Sequence, residues 1–241
     1  MIYSPSFFNE MVTESLSSAK VVVPLVVDLI HPSSAVDIGC ATGAWLSVFH
    51  EHGVNTIVGL DGAYVNLTPL LIPSESFRAT DLTKPFSLPG QYDFALSLEV
   101  AEHLSATSAQ GFVRSLCQLA PIVLFSAAIP GQGGVHHVNE QWPEYWRKRF
   151  AEHNFRMYDP FRPLLWLDER VASHYRQNMF LFIHNDVVQS RTELSRLPEV
   201  KDGNGLMLVD PHILFGLRAT LRRLPYMVWR SVRRRVERLS F

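Results

Sequence analysis

The segment Val36-Asp37-Ile38-Gly39-Cys40-Ala41-Thr42-Gly43, followed eighteen residues on by Asp61, constrains this chain most. An apolar run from Ala35 to Ile38 enters a loop of small residues and leaves into Ala44-Trp45-Leu46-Ser47-Val48-Phe49, which has the spacing of a helix. A strand, a glycine turn and a helix in that order let a nucleotide-type ligand approach the backbone closely. A second apolar run, Thr56 to Leu60, ends at Asp61. In a doubly wound sheet this predicts a carboxylate beside the first turn, placed to accept hydrogen bonds from both hydroxyls of a ribose. The spacing Gly39-x-x-x-Gly43 lacks the Gly-x-Gly-x-x-Gly of a pyrophosphate-binding turn.

Downstream, Phe77 to Leu82 reads as a short strand ending at Asp81, and Tyr92 to Leu98 as a near-continuous apolar strand buried on both faces. The latter leads into Glu99-Val100-Ala101-Glu102-His103-Leu104. Five strands are predicted over 35–40, 56–60, 77–80, 92–98 and 122–128, with helices at 44–52 and 108–119 between them. Such alternation argues a parallel, doubly wound α/β sheet. Residues 141–153, with Trp142, Tyr145, Trp146 and Phe150 on one face, predict a further helix. Phe155–Tyr158 and Met179–His184 predict the sixth and seventh strands. Residues 5–30 predict one or two leading helices, interrupted by Pro24.

These elements, in this order, resemble the class I S-adenosylmethionine-dependent methyltransferases, whose first motif is acidic-x-Gly-x-Gly-x-Gly. Asp37, Gly39 and Gly43 match it, and Ala41 stands at the middle glycine. The Glu-x-x-Glu-His segment at Glu99, Glu102 and His103 is similar to one that follows the fourth strand of many small-molecule methyltransferases. The resemblance spans roughly residues 18 to 185, with boundaries good to a few residues. It implies a Rossmann-like, mostly parallel seven-stranded sheet of order 3-2-1-4-5-7-6 whose seventh strand is antiparallel. It implies S-adenosylmethionine as cofactor and S-adenosylhomocysteine as product. Cofactor contacts are implied at Asp37, Gly39, Cys40, Ala41, Gly43, Asp61, Gly62, Asp81, Leu82, Leu98 and Glu99, with Asp81 accepting from the adenine amino group and Leu82 packing on the ring. The leading helices would cap the mouth of that site.

Methyl transfer from a sulfonium needs little beyond alignment, but an alcohol acceptor must also lose a proton. The loop that follows the fifth strand, Ala128 to Trp142, carries three glycines and a proline and supplies two imidazoles, a carboxylate, amides and an indole. It resembles the Gly-His-x-Asn-Glu-Gln-Trp stretch of a bacterial methyltransferase group found among glycan and small-metabolite biosynthetic proteins. His137 aligns with the histidine of that stretch, and His136 stands where glycine is usual. His137 is therefore the expected general base, with Glu140 orienting it or binding acceptor hydroxyls. His103 is the rival base, and His136, Asn139, Gln141 and Trp142 are expected to bind the acceptor. No metal is expected, because adjacent His136 and His137 meet Glu140 on one ion only if the backbone turns between them.

The 241 residues, 47% of them hydrophobic, suffice for one well-filled domain. Residues 1–200 carry 13 Lys and Arg against 20 Asp and Glu, whereas residues 201–241 carry 9 against 3. The break at Lys201-Asp202-Gly203-Asn204-Gly205 reads as a linker. It separates a domain over 1–200 from a basic tail in which Trp229, Val232, Val236 and Leu239 recur between arginines. Such a tail is expected to touch an anionic membrane surface peripherally or to fold onto its own domain. Two cysteines without metal or disulfide spacing, and a start without signal-peptide layout, predict a cytoplasmic location. Nucleic acid is a weak expectation. The domain is net negative and carries neither an Asn-Pro-Pro-aromatic nor a Pro-Cys motif after the fourth strand, although the arginines of the tail could contact phosphates. A saccharide or small hydroxylated metabolite is the expected acceptor, and a protein that holds the cofactor without turnover is the rival reading.

Overall fold

The structure is a computed structural model that describes residues 5–65, 70–202 and 209–210, with side chains from residue 12 onward. Seven strands form one sheet: β1 Ser34–Ile38, β2 Thr56–Asp61, β3 Phe77–Ala79, β4 Phe94–Leu98, β5 Ile122–Ser126, β6 Phe155–Tyr158 and β7 Phe180–His184. Their order is β3-β2-β1-β4-β5-β7-β6. β3, β2, β1, β4 and β5 run parallel, whereas β7 is antiparallel to both its neighbours. Both the order and the reversed last strand are as the resemblance implied.

Among the described residues are seven α-helices: α1 Pro5–Ile30, α2 Ala44–Glu51, α3 Ala109–Leu119, α4 Pro143–Ala151, α5 Arg162–Leu165, α6 Ser173–Asn178 and α7 Asn185–Ser190. The central strands are apolar almost throughout because helices cover both faces, so each strand feeds two cores by alternation. Phe94, Leu96, Ile122, Leu124, Leu181 and Ile183 point to the side of α1 and α2. Ala95, Val123, Phe125, Phe180 and Phe182 point to that of α3 and α4. α1 buries Ala19, Val22, Val23, Val26 and Ile30 at helical spacing. It runs unbroken through Pro24, where the expected interruption does not occur. Its side is latched by the segment before and within α6: Ser17 donates to the Arg170 carbonyl, Ser18 accepts from the Ala172 N–H, and Ser15 bonds the Tyr175 hydroxyl.

Several elements are shorter than expected. β4 begins at Phe94 rather than Tyr92, because the Asp93 carboxylate accepts from the backbone and hydroxyl of Ser34 and from the Ser33 N–H. β5 ends at Ser126, since the Ala128 carbonyl turns away to accept from Gln141. Residues 198–200 lie along β6, with Asp159 bonding Pro198 and Val200 bonding Met157, and so cover an exposed sheet edge. Beyond them Asp210 is buried, paired to the equally buried Arg176 at 2.9 Å. Trp229, Val232, Val236 and Leu239 lie outside the described residues. Among the described residues no helix is long and apolar enough to cross a membrane.

Candidate active site

The strand order reverses between β1 and β4, which opens a crevice at the carboxyl ends of β1, β2, β4 and β5. One wall is backbone. Gly39 and Gly43 sit at φ +86° and +82°, and Ala41, in place of the usual middle glycine, at +46°. That left-handed turn is costly for alanine and cheap for glycine. Close packing fixes the other two positions as well. A Cβ on Gly39 would collide with Val100, and one on Gly43 would come within 2.8 Å of Ile72.

The Asp61 carboxylate holds the turn in place. Its Oδ2 accepts from the Ala41 N–H at 2.8 Å, and its Oδ1 from the Gly62 N–H at 2.6 Å and the Tyr64 hydroxyl at 2.7 Å. The sequence put Asp61 beside the turn, and it is there; the Tyr64 hydroxyl was not anticipated. Asp37 is buried nearby, and burial first, then the charge of Asp61, pushes its pKa well up. Cys40 is buried against Gly59, and burial pushes its thiol pKa up. Asp81 lies in solvent two residues beyond the end of β3, which stops at Ala79. Thr83 and Lys84 bond its carboxylate and hold its pKa down at about 2. Leu82 packs instead into the core with Phe86 and Phe112.

The other wall is made of side chains from two loops. Leu98 closes β4, and Glu99 follows at φ +57° with its N–H on Ser126. The Glu99 carboxylate accepts from Gln132 at 2.7 Å and from Asn178 at 3.1 Å, while Gln177 donates to Asn178. Gln132 and Asn178 were missed in the sequence. The available signal was an unbroken polar triplet, Arg176-Gln177-Asn178, set against a buried apolar strand.

In the loop of residues 129–142, Glu140 is the organiser. It accepts from the Gly131 N–H at 2.7 Å, the Gly133 N–H at 2.8 Å and His137 Nδ1 at 3.0 Å. A carboxylate only accepts, so in the neutral ring the His137 proton sits on Nδ1 and Nε2 carries the lone pair. That lone-pair nitrogen stands 4.0 Å from Glu102 Oε1, and the His103 ring meets the His137 ring edge-on at 4.8 Å. The His103 pKa is pushed down, by lost hydration first and by His137 second.

Glu102 is fully buried, and neither of its carboxylate oxygens has a hydrogen-bond partner of normal geometry. The nearby N–H groups of Glu102 and Ala128 ease the charge without satisfying it. Burial, then Glu99, raises its pKa well above the usual carboxylate range. The Glu102 carbonyl, by contrast, accepts from both Val138 and Asn139, which ties the second loop to the first. Asn139 is buried and accepts from Gln141, Trp142 caps α4, and His136 is exposed at φ +61°. The four acceptor-binding candidates thus do not converge: Asn139 and Gln141 pair with each other, and His136 faces solvent.

The chain matches the methyltransferase domain family over residues 19–165. No curated protein matches it. Among solved structures it is similar to the magnesium protoporphyrin IX methyltransferase ChlM of Synechocystis PCC 6803 with bound S-adenosylmethionine. The two are 19% identical, with TM-score 0.54 over 76% of this chain and 86% of that one. It is also similar to CalS10, an amino pentose methyltransferase of Micromonospora echinaspora (16% identity, TM-score 0.52, 69% and 90% covered). A third is the sugar N-methyltransferase KedS8 of Streptoalloteichus sp ATCC 53650 (14%, 0.51, 70% and 87%). With the family match covering most of the chain and the cofactor-side turn built as described, this protein belongs to the class I S-adenosylmethionine-dependent methyltransferases.

Proposed function

We propose that the chain transfers the methyl group of S-adenosylmethionine to a hydroxyl oxygen of a saccharide or small hydroxylated metabolite, with His137 taking the acceptor's proton. The observation that carries this reading is the Glu140–His137 hydrogen bond of 3.0 Å, which leaves Nε2 as a lone pair facing Glu102 and His103. In the in-line step the acceptor oxygen gains the methyl carbon, the sulfur keeps the electron pair of the broken bond, and the hydroxyl proton passes to Nε2. A protein that only held the cofactor would have no use for an imidazole fixed in one tautomer. Two solved structures with this fold are named for sugar acceptors, which agrees with a hydroxyl-rich ligand.

The test is transfer of a deuterated methyl group from labelled S-adenosylmethionine to a panel of saccharides and hydroxylated metabolites, with the methylated atom located by NMR. Label on oxygen is the expected result. Label on nitrogen would replace the acceptor group, and cofactor binding without label in any acceptor would favour the holding protein.

The basic tail supports a second contact, with an anionic membrane surface or a lipid-linked acceptor. Because Asp210 is paired with the buried Arg176, the cut that tests this belongs after Asp210. The cut chain should lose flotation with anionic vesicles at low salt, where polybasic attraction is strongest, and keep its fold. Equal flotation of both chains would end the membrane reading.

A further inference from the structure

We propose that Glu102, His103 and His137 form a binding site for a divalent first-row transition-metal ion on the acceptor side of the crevice. One ligand atom from each lies within 4.8 Å of the other two. Two ligands held at about 2.1 Å by one ion in tetrahedral geometry stand about 3.4 Å apart, and His137 Nε2 lies 4.0 Å from Glu102 Oε1. The triangle closes when the three side chains rotate inward by up to about an ångström.

Three features single this cluster out from an ordinary polar contact. Glu102 is fully buried and neither oxygen has a hydrogen-bond partner of normal geometry, although its own carbonyl accepts two backbone N–H groups. A carboxyl buried for packing alone finds a partner for at least one oxygen. His137 donates Nδ1–H to Glu140, the carboxylate–histidine arrangement that aims the opposite nitrogen at a metal. His103 is solvent-exposed, so its edge leaves an entry path and open coordination positions. One carboxylate oxygen with two imidazole nitrogens suits Mn²⁺, Co²⁺ or Zn²⁺ better than Mg²⁺ or Ca²⁺, which take oxygen ligands.

The inference rests on the reading of this pocket as the acceptor side, and with the ion bound it gives His137 the role of ligand in place of base. An acceptor hydroxyl bound to the ion is more acidic. Its O–H bond breaks with the proton leaving to water, and the oxygen's freed pair takes the methyl carbon while sulfur keeps the C–S pair. Without the ion, Nε2 accepts that proton directly and turnover is slower.

The test is titration of Mn²⁺ into the full-length protein, followed by the loss of the free-ion electron paramagnetic resonance signal. One ion should bind, and Glu102→Gln and His103→Ala should each weaken it at least about 10-fold, with Glu140→Gln weakening it about 10- to 100-fold through the freed His137 tautomer. S-adenosylhomocysteine affinity, measured in parallel, should stay within twofold of the parent in Glu102→Gln and so certify its fold. Absence of saturable Mn²⁺ binding, or binding unchanged in these variants, overturns the proposal. Methyl transfer that is indifferent to a chelator would then leave the His137 reading standing. Mn²⁺ capture in a protein that methylates no acceptor would break the functional reading and keep the site.

Discussion

The two walls of the crevice are built differently. On the cofactor side, backbone does the work: three residues with positive φ within five positions, and one carboxylate, Asp61, that accepts from two N–H groups and a hydroxyl. On the opposite side, which we propose takes the acceptor, side chains do it. Glu99, Glu102 and His103 come from the loop after β4, His137 and Glu140 from the loop after β5, and Asn178 from the end of α6. Every polar atom of the Asp61 carboxylate is engaged, whereas both oxygens of Glu102 are left over.

Removing the proposed base should have the largest effect. His137→Ala is expected to lower turnover by roughly 10²–10⁴, measured as initial rates at saturating acceptor. If His103→Ala shows that loss and His137→Ala does not, the base has been misassigned and the role of the Glu140 contact falls with it.

A change to the backbone wall should act on stability first. Gly39→Ala would force a side chain onto φ +86° and into Val100, and about 2–4 kcal/mol of folding stability should go with it. Urea unfolding of that variant with an unchanged midpoint would mean that the turn tolerates a side chain and that its glycine is no steric requirement.

The smallest effect is the pH dependence of Asp37. Its folded pKa is raised above the ordinary 3.8 by burial and by Asp61. The folded state therefore holds that proton more tightly than the unfolded one. The associated stability is complete below the unfolded value and is lost as pH rises through the folded one. Asp37→Asn should flatten this part of the stability–pH curve of the cofactor-free protein. A curve that parallels the parent's would show that Asp37 does not carry the linkage.

The same contrast explains what could be read from the sequence. β1, the glycine turn and β2 are contiguous, so Asp61 reaches Ala41 through local geometry that any sheet of this type repeats. The strand order and the reversed β7 followed from the resemblance. The acceptor wall depends on contacts 30 to 80 residues apart, such as Gln132 and Asn178 on Glu99, which no local pattern encodes. The pairing of His137 with Glu140 was legible because the two lie three residues apart in one loop. The fully buried state of Glu102 was not, since a Glu-His pair after a strand is as readily solvated. The expected acceptor contacts at His136, Asn139 and Gln141 were read from the loop's polarity and its resemblance, and neither says that Asn139 and Gln141 bond each other.

The division of labour between the walls is tested most directly by calorimetric titration of S-adenosylhomocysteine into the parent, Asp61→Ala and His137→Ala. Asp61→Ala should weaken binding by about 2–4 kcal/mol, the worth of two hydrogen bonds to a charged group with allowance for non-additivity. His137→Ala should bind as the parent does. Unchanged affinity in Asp61→Ala, or a comparable loss in His137→Ala, would contradict the account.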